Sequence, residues 1–319
     1  MATLNKLSDL STIGNTGVGG LFFDPKIIVG AFLCPKGFEL DISSIQANLV
    51  AATHNSTKRS RIYPIYDFLS PKDATEDKIM QQFNTGAKKP VREGYNDWSF
   101  QFVQGGVDLL QSLRNFNGSL WDFIFVDSLN RLIGITGSSA TKLRAVPSDG
   151  GFFWANPWKS NDGTKVTEYM VQFVFNVKYL NSQLAFAEAG FDVQTTINGL
   201  QDVNITAVDG GTPGTYKISA KTKVGLNLAD LYPTILAGGS APAKWTAKNA
   251  TSGADCTITS IAIGTDTNGD ACFVFVMLTS DTDYSGATNI KFDLTSPATL
   301  QAAGVDGYES TGAATVAKN

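Results

Sequence analysis

Histidine is nearly missing from this chain: His54 is the only one in 319 residues. Any Ser-His-Asp or Cys-His arrangement would have to use it. It sits in the polar run AATHNSTKRSR, which reads as a solvated loop, and no GxSxG is present. Cysteine is scarce as well. Cys34, Cys256 and Cys272 lack CxxC spacing, so neither a zinc knuckle nor a redox pair is indicated. They read as small buried thiols; the alternative is that Cys256 and Cys272 face each other across a hairpin. Apolar stretches stay under ten residues, too short to span a membrane as a helix. The opening MATLNKLSDLSTIGNTGVGG has no basic start followed by a long apolar core, so no secretory signal is read there. A soluble protein assembled in a cytoplasm is expected.

A charge excess of one sign is missing from most of the chain. From Thr195 onward there are 7 basic and 11 acidic residues, which leaves 18 and 18 before it and places the whole net charge of -4 in the C-terminal part. No long basic stripe is available to neutralise a phosphate backbone. The basic run STKRSR (56–61) reads as a solvated loop, with contact to an acidic neighbouring subunit as the alternative.

What the chain has in abundance is glycine, 31 residues, and short runs of Val, Ile, Thr and Phe. This is the composition of a mainly β protein, and its length suits two cores. Residues 1–194 read as one β domain. KIIVGAFLC (26–34) is a buried strand, and RIYPIYDFL (61–69) is extended, with Pro64 pointing to an edge or bend. Between them and the next strand lies a long polar arm at about 70–90, where Ser70 and Pro71 start a short helix that Gly86 stops. In DWSFQFVQ (97–104), Trp98, Phe100 and Phe102 share one face, while Ser99, Gln101 and Val103 share the other. A short amphipathic helix follows Gly105-Gly106, with Val107, Leu109, Leu113 and Phe116 packing on the sheet and Asn117-Gly118 ending it. LWDFIFVDSLNRLIGITG (120–137) is a hairpin turning near Ser128–Asn130. Asn161-Asp162-Gly163 is a turn, and Glu168–Tyr179 is one long alternating strand.

Residues 195–319 change texture: large aromatics thin out, and Thr, Ala, Gly and Asp rise. Strands flank Asp209–Gly214 and Asn268-Gly269, the latter a strong hairpin signal. Short strands with turns every 8–12 residues read as an immunoglobulin-like β-sandwich. The disulfide-and-Trp signature of antibody domains is not evident, and the tail ESTGAATVAKN reads as mobile.

Candidate chemistry is thin. Gly105-Gly106 opens a helix as a phosphate loop does, but QGGVDLLQS has neither the Lys nor the Ser/Thr of a Walker A loop. Asp108 in the first turn suits the helix dipole and repels a phosphate. A paired-carboxylate hydrolase would draw on Asp97, Asp122, Asp127 and Glu168, which stand at strand starts and a hairpin tip where acidic residues are ordinary. Asp266, Asn268 and Asp270 follow the first half of a calcium loop but lack its central Gly and late Glu, and a hairpin turn accounts for them. The reading is a non-enzymatic binding or structural protein, with no cofactor and no metal.

The segments DWSFQFVQ, VDLLQSLRNFNG, DFIFVDSLNRLIGI and VTEYMVQFVFNVKYL, in the order strand, arm, strand, helix, hairpin, long strand, resemble the tail-tube proteins of tailed bacteriophages. An added immunoglobulin-like module is similar to the surface decoration of phage virion proteins. The resemblance implies a virion structural protein assembled in a host cytoplasm. Its rings of six stack into a tube that passes DNA transiently and meet other phage tail proteins. It also implies that Lys72, Asp73, Glu76, Asp77, Lys78, Met80, Phe83, Lys88 and Lys89 of the arm contact a neighbouring subunit, and that the outward module touches glycans weakly. Alternatives are another virion part (capsid, capsid decoration or collar protein) or a carbohydrate-binding or carbohydrate-degrading protein with an immunoglobulin-like accessory domain.

Overall fold

A computed structural model describes residues 4–6, 26–92, 94–102, 105–160, 164 and 167–319. Val103 and the turn expected at Asn161-Asp162-Gly163 lie outside them. The chain is mainly β and forms two compact units, one of residues 1–53 and 57–198, the other of His54–Ser56 with Gly199–Asn319.

The first unit contains β1 (Leu4–Lys6), β2 (Ile28–Cys34), β3 (Glu39–Asp41), β4 (Tyr63–Tyr66), β5 (Phe68–Asp73), β6 (Ile79–Gln82), β7 (Lys88–Arg92), β8 (Tyr95–Phe102), β9 (Asp122–Asp127), β10 (Arg131–Thr136), β11 (Lys142–Arg144), β12 (Phe152–Ala155), β13 (Tyr169–Asn176) and β14 (Leu184–Glu188). One sheet runs β1-β14-β10-β9-β2-β4, with β11 and β3 attached beside β10; the other runs β12-β13-β8-β5. The sequence explains the layering. β9 reads DFIFVD and is buried at every position, as a strand covered on both faces must be. Phe123 and Phe125 enter the layer between the sheets, opposite Phe100, Phe173 and Phe175. Ile124 and Val126 face the other way, into a second layer with Ile45 and Leu49 of helix Ile45–Thr53 and with Val193 and Ile197. β8 and β13 alternate instead, so their second face stays polar and half-exposed.

The inter-sheet layer is aromatic. Phe123 meets Phe173 edge-on at 5.2 Å, Trp98 meets Phe175 at 5.0 Å, and Phe68 stacks on Phe100 at 4.6 Å. Each such ring contributes about 1.5–3 kcal/mol by burial and about 0.5–1.5 kcal/mol more by ring geometry. Phe68 reaches this layer because the chain leaves the first sheet after Tyr66, turns at Asp67 with φ 57°, and joins the second sheet opposite Phe102. Pro64 sits in β4 at the end of the first sheet, where a missing N–H costs no ladder bond.

The strand expected over Glu168–Tyr179 stops at Asn176. Its side chain accepts from Lys178 N and caps helix Val177–Gln183, so Val177 and Tyr179 are helical. Helix Ile45–Thr53 carries little periodic contrast in IQANLVAAT and has no counterpart in the sequence reading.

The second unit contains β15 (Gln201–Asp209), β16 (Thr215–Thr222), β17 (Trp245–Asn249), β18 (Ile258–Thr265), β19 (Ala271–Met277), β20 (Asn289–Leu294), β21 (Tyr308–Ser310) and β22 (Ala314–Ala317). Its sheets run β18-β19-β16-β15-β21 and β17-β20-β22. Their shared core holds Tyr216, Trp245, Phe273, Phe275 and Phe292. Trp245 is buried between Phe273 and Phe275 (both 5.1 Å), and its Nε1 donates to Leu236 O at 3.1 Å. Cys34, Cys256 and Cys272 are buried and free. The tail is not loose: β22 pairs with β20 from Phe292↔Ala314 to Asn289↔Ala317, and Asn319 Oδ1 accepts from Gly214 N at 2.9 Å.

One charged pair fixes the β9–β10 hairpin. Asp127, fully buried rather than displayed at a tip, accepts from Leu129 N (2.9 Å), Arg131 N (3.0 Å) and Arg131 Nε (2.7 Å). Removing one partner strands a buried charge. Arg131→Ala is therefore expected to destabilise the first unit by about 3–5 kcal/mol. Urea denaturation followed by the fluorescence of Trp98, Trp121, Trp154 and Trp158 measures it.

Candidate functional site

The arm at 70–90 is a β-hairpin, not a helix. Past β5 the ladder continues through Ala74 N to Asp97 O (2.8 Å) and Glu76 N to Tyr95 O (3.0 Å), and β6 then pairs with β7. The turn is closed by Phe83 N to Ala87 O and Gly86 N to Phe83 O, both 2.8 Å. Gly86 takes φ +81°, the left-handed position of a short hairpin loop. Ser70-Pro71 falls in the irregular step between Leu69 and Lys72, where β5 and β8 lose register, instead of opening a helix. Pairing satisfies the backbone of a segment that has no core to pack a helical stripe against.

Every residue from 69 to 92 is exposed, including Lys72, Asp73, Glu76, Asp77, Lys78, Met80, Phe83, Lys88 and Lys89. Ile79, Met80, Phe83 and Val91 are all exposed along the hairpin. Residues 78–92 contain Lys78, Lys88, Lys89 and Arg92 and no acid; Glu76 at the base lies 3.6 Å from Arg92. The arm is thus an apolar and cationic finger.

Gly105-Gly106 does open a helix, Gly106–Arg114, and Asp108 occupies its first turn. Leu110 and Leu113 are buried, and Leu109 and Phe116 pack beside them. Val107, expected in this packing, is 49% exposed. The helix is rotated so that its stripe centres on Leu110 and Leu113, which turns position 107 outward. The two glycines differ. Gly105 has φ +76°, and a Cβ there would lie 2.5 Å from Leu109 Cβ; Gly106 has φ +54° and meets only Tyr169 Oη at 3.9 Å. The pair makes a steric corner.

The four carboxylates fall into two places. Asp122 and Asp127 belong to the first sheet. Asp122 Oδ2 accepts from Gly37 N at 2.6 Å, and burial raises its pKa above the ordinary value while that bond opposes the shift. Asp97 and Glu168 line one open groove of about 390 Å³ on the outer face of the second sheet, with Lys72, Gln101, Lys159 and Gln172. Gln172 Nε2 donates to Asp97 Oδ1 at 2.7 Å, and Lys159 Nζ is 3.6 Å from Glu168 Oε2. Trp154, paired in register with Gln172 and 41% exposed, stands on the same face.

Asp266, Asn268 and Asp270 form the expected hairpin turn. Asp266 Oδ1 accepts from Asn268 N (2.8 Å) and Asp270 N (3.0 Å), and Lys221 Nζ holds Asp270 Oδ2 at 2.5 Å. These carboxylates are directed at the turn's own amides and at a lysine. Within STKRSR, Lys58–Ser60 is a single 3-10 turn, and Arg61 is buried. His54 is not a solvated loop residue: it is 2% exposed, with Nε2 2.8 Å from Asp306 Oδ1 in the second unit. That partner lies 252 positions away, beyond any local pattern.

No family model, curated protein or solved structure matches this chain. Among the described residues no helix is long and apolar enough to cross a membrane.

The glycine pair yields a direct comparison. Gly106→Ala is expected to cost about 1–2 kcal/mol, the penalty of a left-handed backbone alone. Gly105→Ala adds a collision with Leu109 and should cost about 3 kcal/mol. Urea melts of the two variants rank them.

Proposed function

We propose that the chain is a self-assembling structural protein of the phage tail-tube type. It would stack as rings, six subunits each by the family resemblance, into a tube through which DNA passes in the virion tail. The observation that carries this reading is the arm. A hairpin that exposes Ile79, Met80, Phe83 and Val91 together with four cations leaves apolar surface in water for no gain within its own subunit. A neighbouring copy that covers it recovers that free energy, and repetition around and along a tube multiplies a weak contact.

Two further features support the reading. From β5 to β13 the first unit runs strand, arm, strand, helix, hairpin and, after the short strands β11 and β12, a long strand, which keeps the order on which the resemblance rests with those two strands inserted. In the second unit, the sheets in chain order contain its first, second, fifth and fourth strands on one side and its third, sixth and last on the other. That order supports reading the unit as an immunoglobulin constant-type sandwich with β21 added at one edge and with its cysteines free. The module would decorate the outside of the tube. No enzymatic role is proposed.

The arm provides the test. Purified protein should show rings or tubes by electron microscopy. Replacing residues 78–92 by Asn-Gly should abolish them while the β circular-dichroism signal stays. Polymers that persist without the arm, or a wild-type chain that stays monomeric at every concentration tried, would sink the reading.

The groove favours a second reading, glycan binding. Asp97, Lys72, Gln101 and Gln172 line it with mixed donors and acceptors, and exposed Trp154, paired in register with Gln172, stands on the same sheet face outside the lining, where it could extend a polar-ligand site. Titration calorimetry with an oligosaccharide panel should then give heat that Trp154→Ala removes; no heat with any member excludes it.

A further inference from the structure

The end of the second unit where β16 leaves its sheet exposes apolar side chains among carboxylates. β16 finishes in a tight turn, with Gly225 N donating to Thr222 O at 3.0 Å and Thr222 N to Leu226 O at 2.8 Å. Asn227 then caps the short helix Leu228–Leu231 through Ala229 N. Its Nδ2 donates to Ala271 O at 2.8 Å, which ties the turn to the β18–β19 hairpin. The helix buries Leu228 and Ala229 and leaves its neighbours outside: Val224 is 60% exposed, Leu226 44% and Leu231 46%. Carboxylates stand beside them. Lys221 Nζ is 2.5 Å from Asp270 Oδ2, and that bond raises the lysine's pKa, with the charges of Asp266 and Asp230 adding to it. Lys223 faces Asp202 at 3.4 Å, and Lys217 reaches Thr265 O at 2.8 Å, so carboxylates still outnumber lysines at this end.

The arm is the complement of this surface. It exposes Ile79, Met80, Phe83 and Val91, and residues 78–92 carry four cations and no acid. We propose that the arm of one copy docks on residues 223–231 and the Asp266–Asp270 turn of a second copy. This docking presupposes the self-assembly reading above and gives the arm its partner. Charge complementarity favours a second copy, because residues 195–319 hold the chain's whole net charge of -4. The apolar residues supply affinity by leaving water. The charges set the pairing, since arm on arm and patch on patch repel. The two surfaces are unlike, so a copy that gives its arm still offers its own patch, and addition continues copy after copy.

Charge exchange tests the docking in the full-length chain. Lys88→Glu/Lys89→Glu makes the arm acidic, and Asp230→Lys/Asp270→Lys makes the patch cationic; all four residues are exposed. Each double variant alone should raise the critical concentration for polymerisation, read by sedimentation, about tenfold. An equimolar mixture of the two should restore it, because every acidic arm then meets a cationic patch and every cationic arm an acidic one. Added salt should raise the wild-type value. Val224→Ser stands at an exposed turn tip and should raise it about fivefold, which reads the apolar half of the contact even if Asp270→Lys disturbs its hairpin. Patch variants that polymerise at the wild-type concentration overturn the docking and leave the self-assembly reading standing. So does a mixture of variants, folded by circular dichroism, that assembles no better than its parts. A wild-type chain that never polymerises overturns both.

Discussion

Everything in the first unit depends on the aromatic layer in which Phe123 and Phe125 of one sheet meet Phe100, Phe173 and Phe175 of the other. Rings of this size fix how far apart the two sheets stand, and burying them is the largest favourable contribution that local sequence makes here. Once that layer is closed, the remaining choices narrow. The first sheet's second face is apolar and must be covered, which helix Ile45–Thr53 does. The second sheet's second face is polar and stays open as a groove. The helix after Gly105-Gly106 closes the end of the layer with Leu110 and Leu113.

A sandwich of open sheets leaves the problem of its edges. This chain treats the two edges of the second sheet differently. Beside β12 the Asn117 amide bonds both backbone groups of Ala155, whereas β5 ends the sheet among the described residues; from there the backbone extends into a hairpin with apolar and cationic residues on its surface. The buried Asp127–Arg131 pair serves a different end. It satisfies the amides of a tight turn in the middle of the first sheet, where water cannot.

Much of the architecture was legible without coordinates. The period of two in DWSFQFVQ and in EYMVQFVFN marked half-buried strands, and the unbroken apolar run in DFIFVD fits a strand buried on both sides. The arm was legible as an excursion but not as a hairpin, because Ser70, Pro71 and Gly86 punctuate a helix and a pair of strands equally well. The Asn176 cap that cuts the expected long strand was missed because its apolar alternation continues through Val177 and Tyr179. Val107 was misplaced because several rotations of a nine-residue helix fit the same leucines.

What the sequence by itself determined was local and periodic: a mainly β chain, a change of character near residue 195, the hairpin over 120–137 and a glycine corner before a short helix. These follow from alternation, turn chemistry and side-chain bulk, which act over a few residues. Only the tertiary structure decided that Asn117 pairs with Ala155, that Asp97 and Glu168 share a groove, and that His54 is buried against Asp306. Those contacts join positions separated by 38, 71 and 252 residues. They exist because burial brings the elements together first and the polar groups then pair with whatever lies within reach.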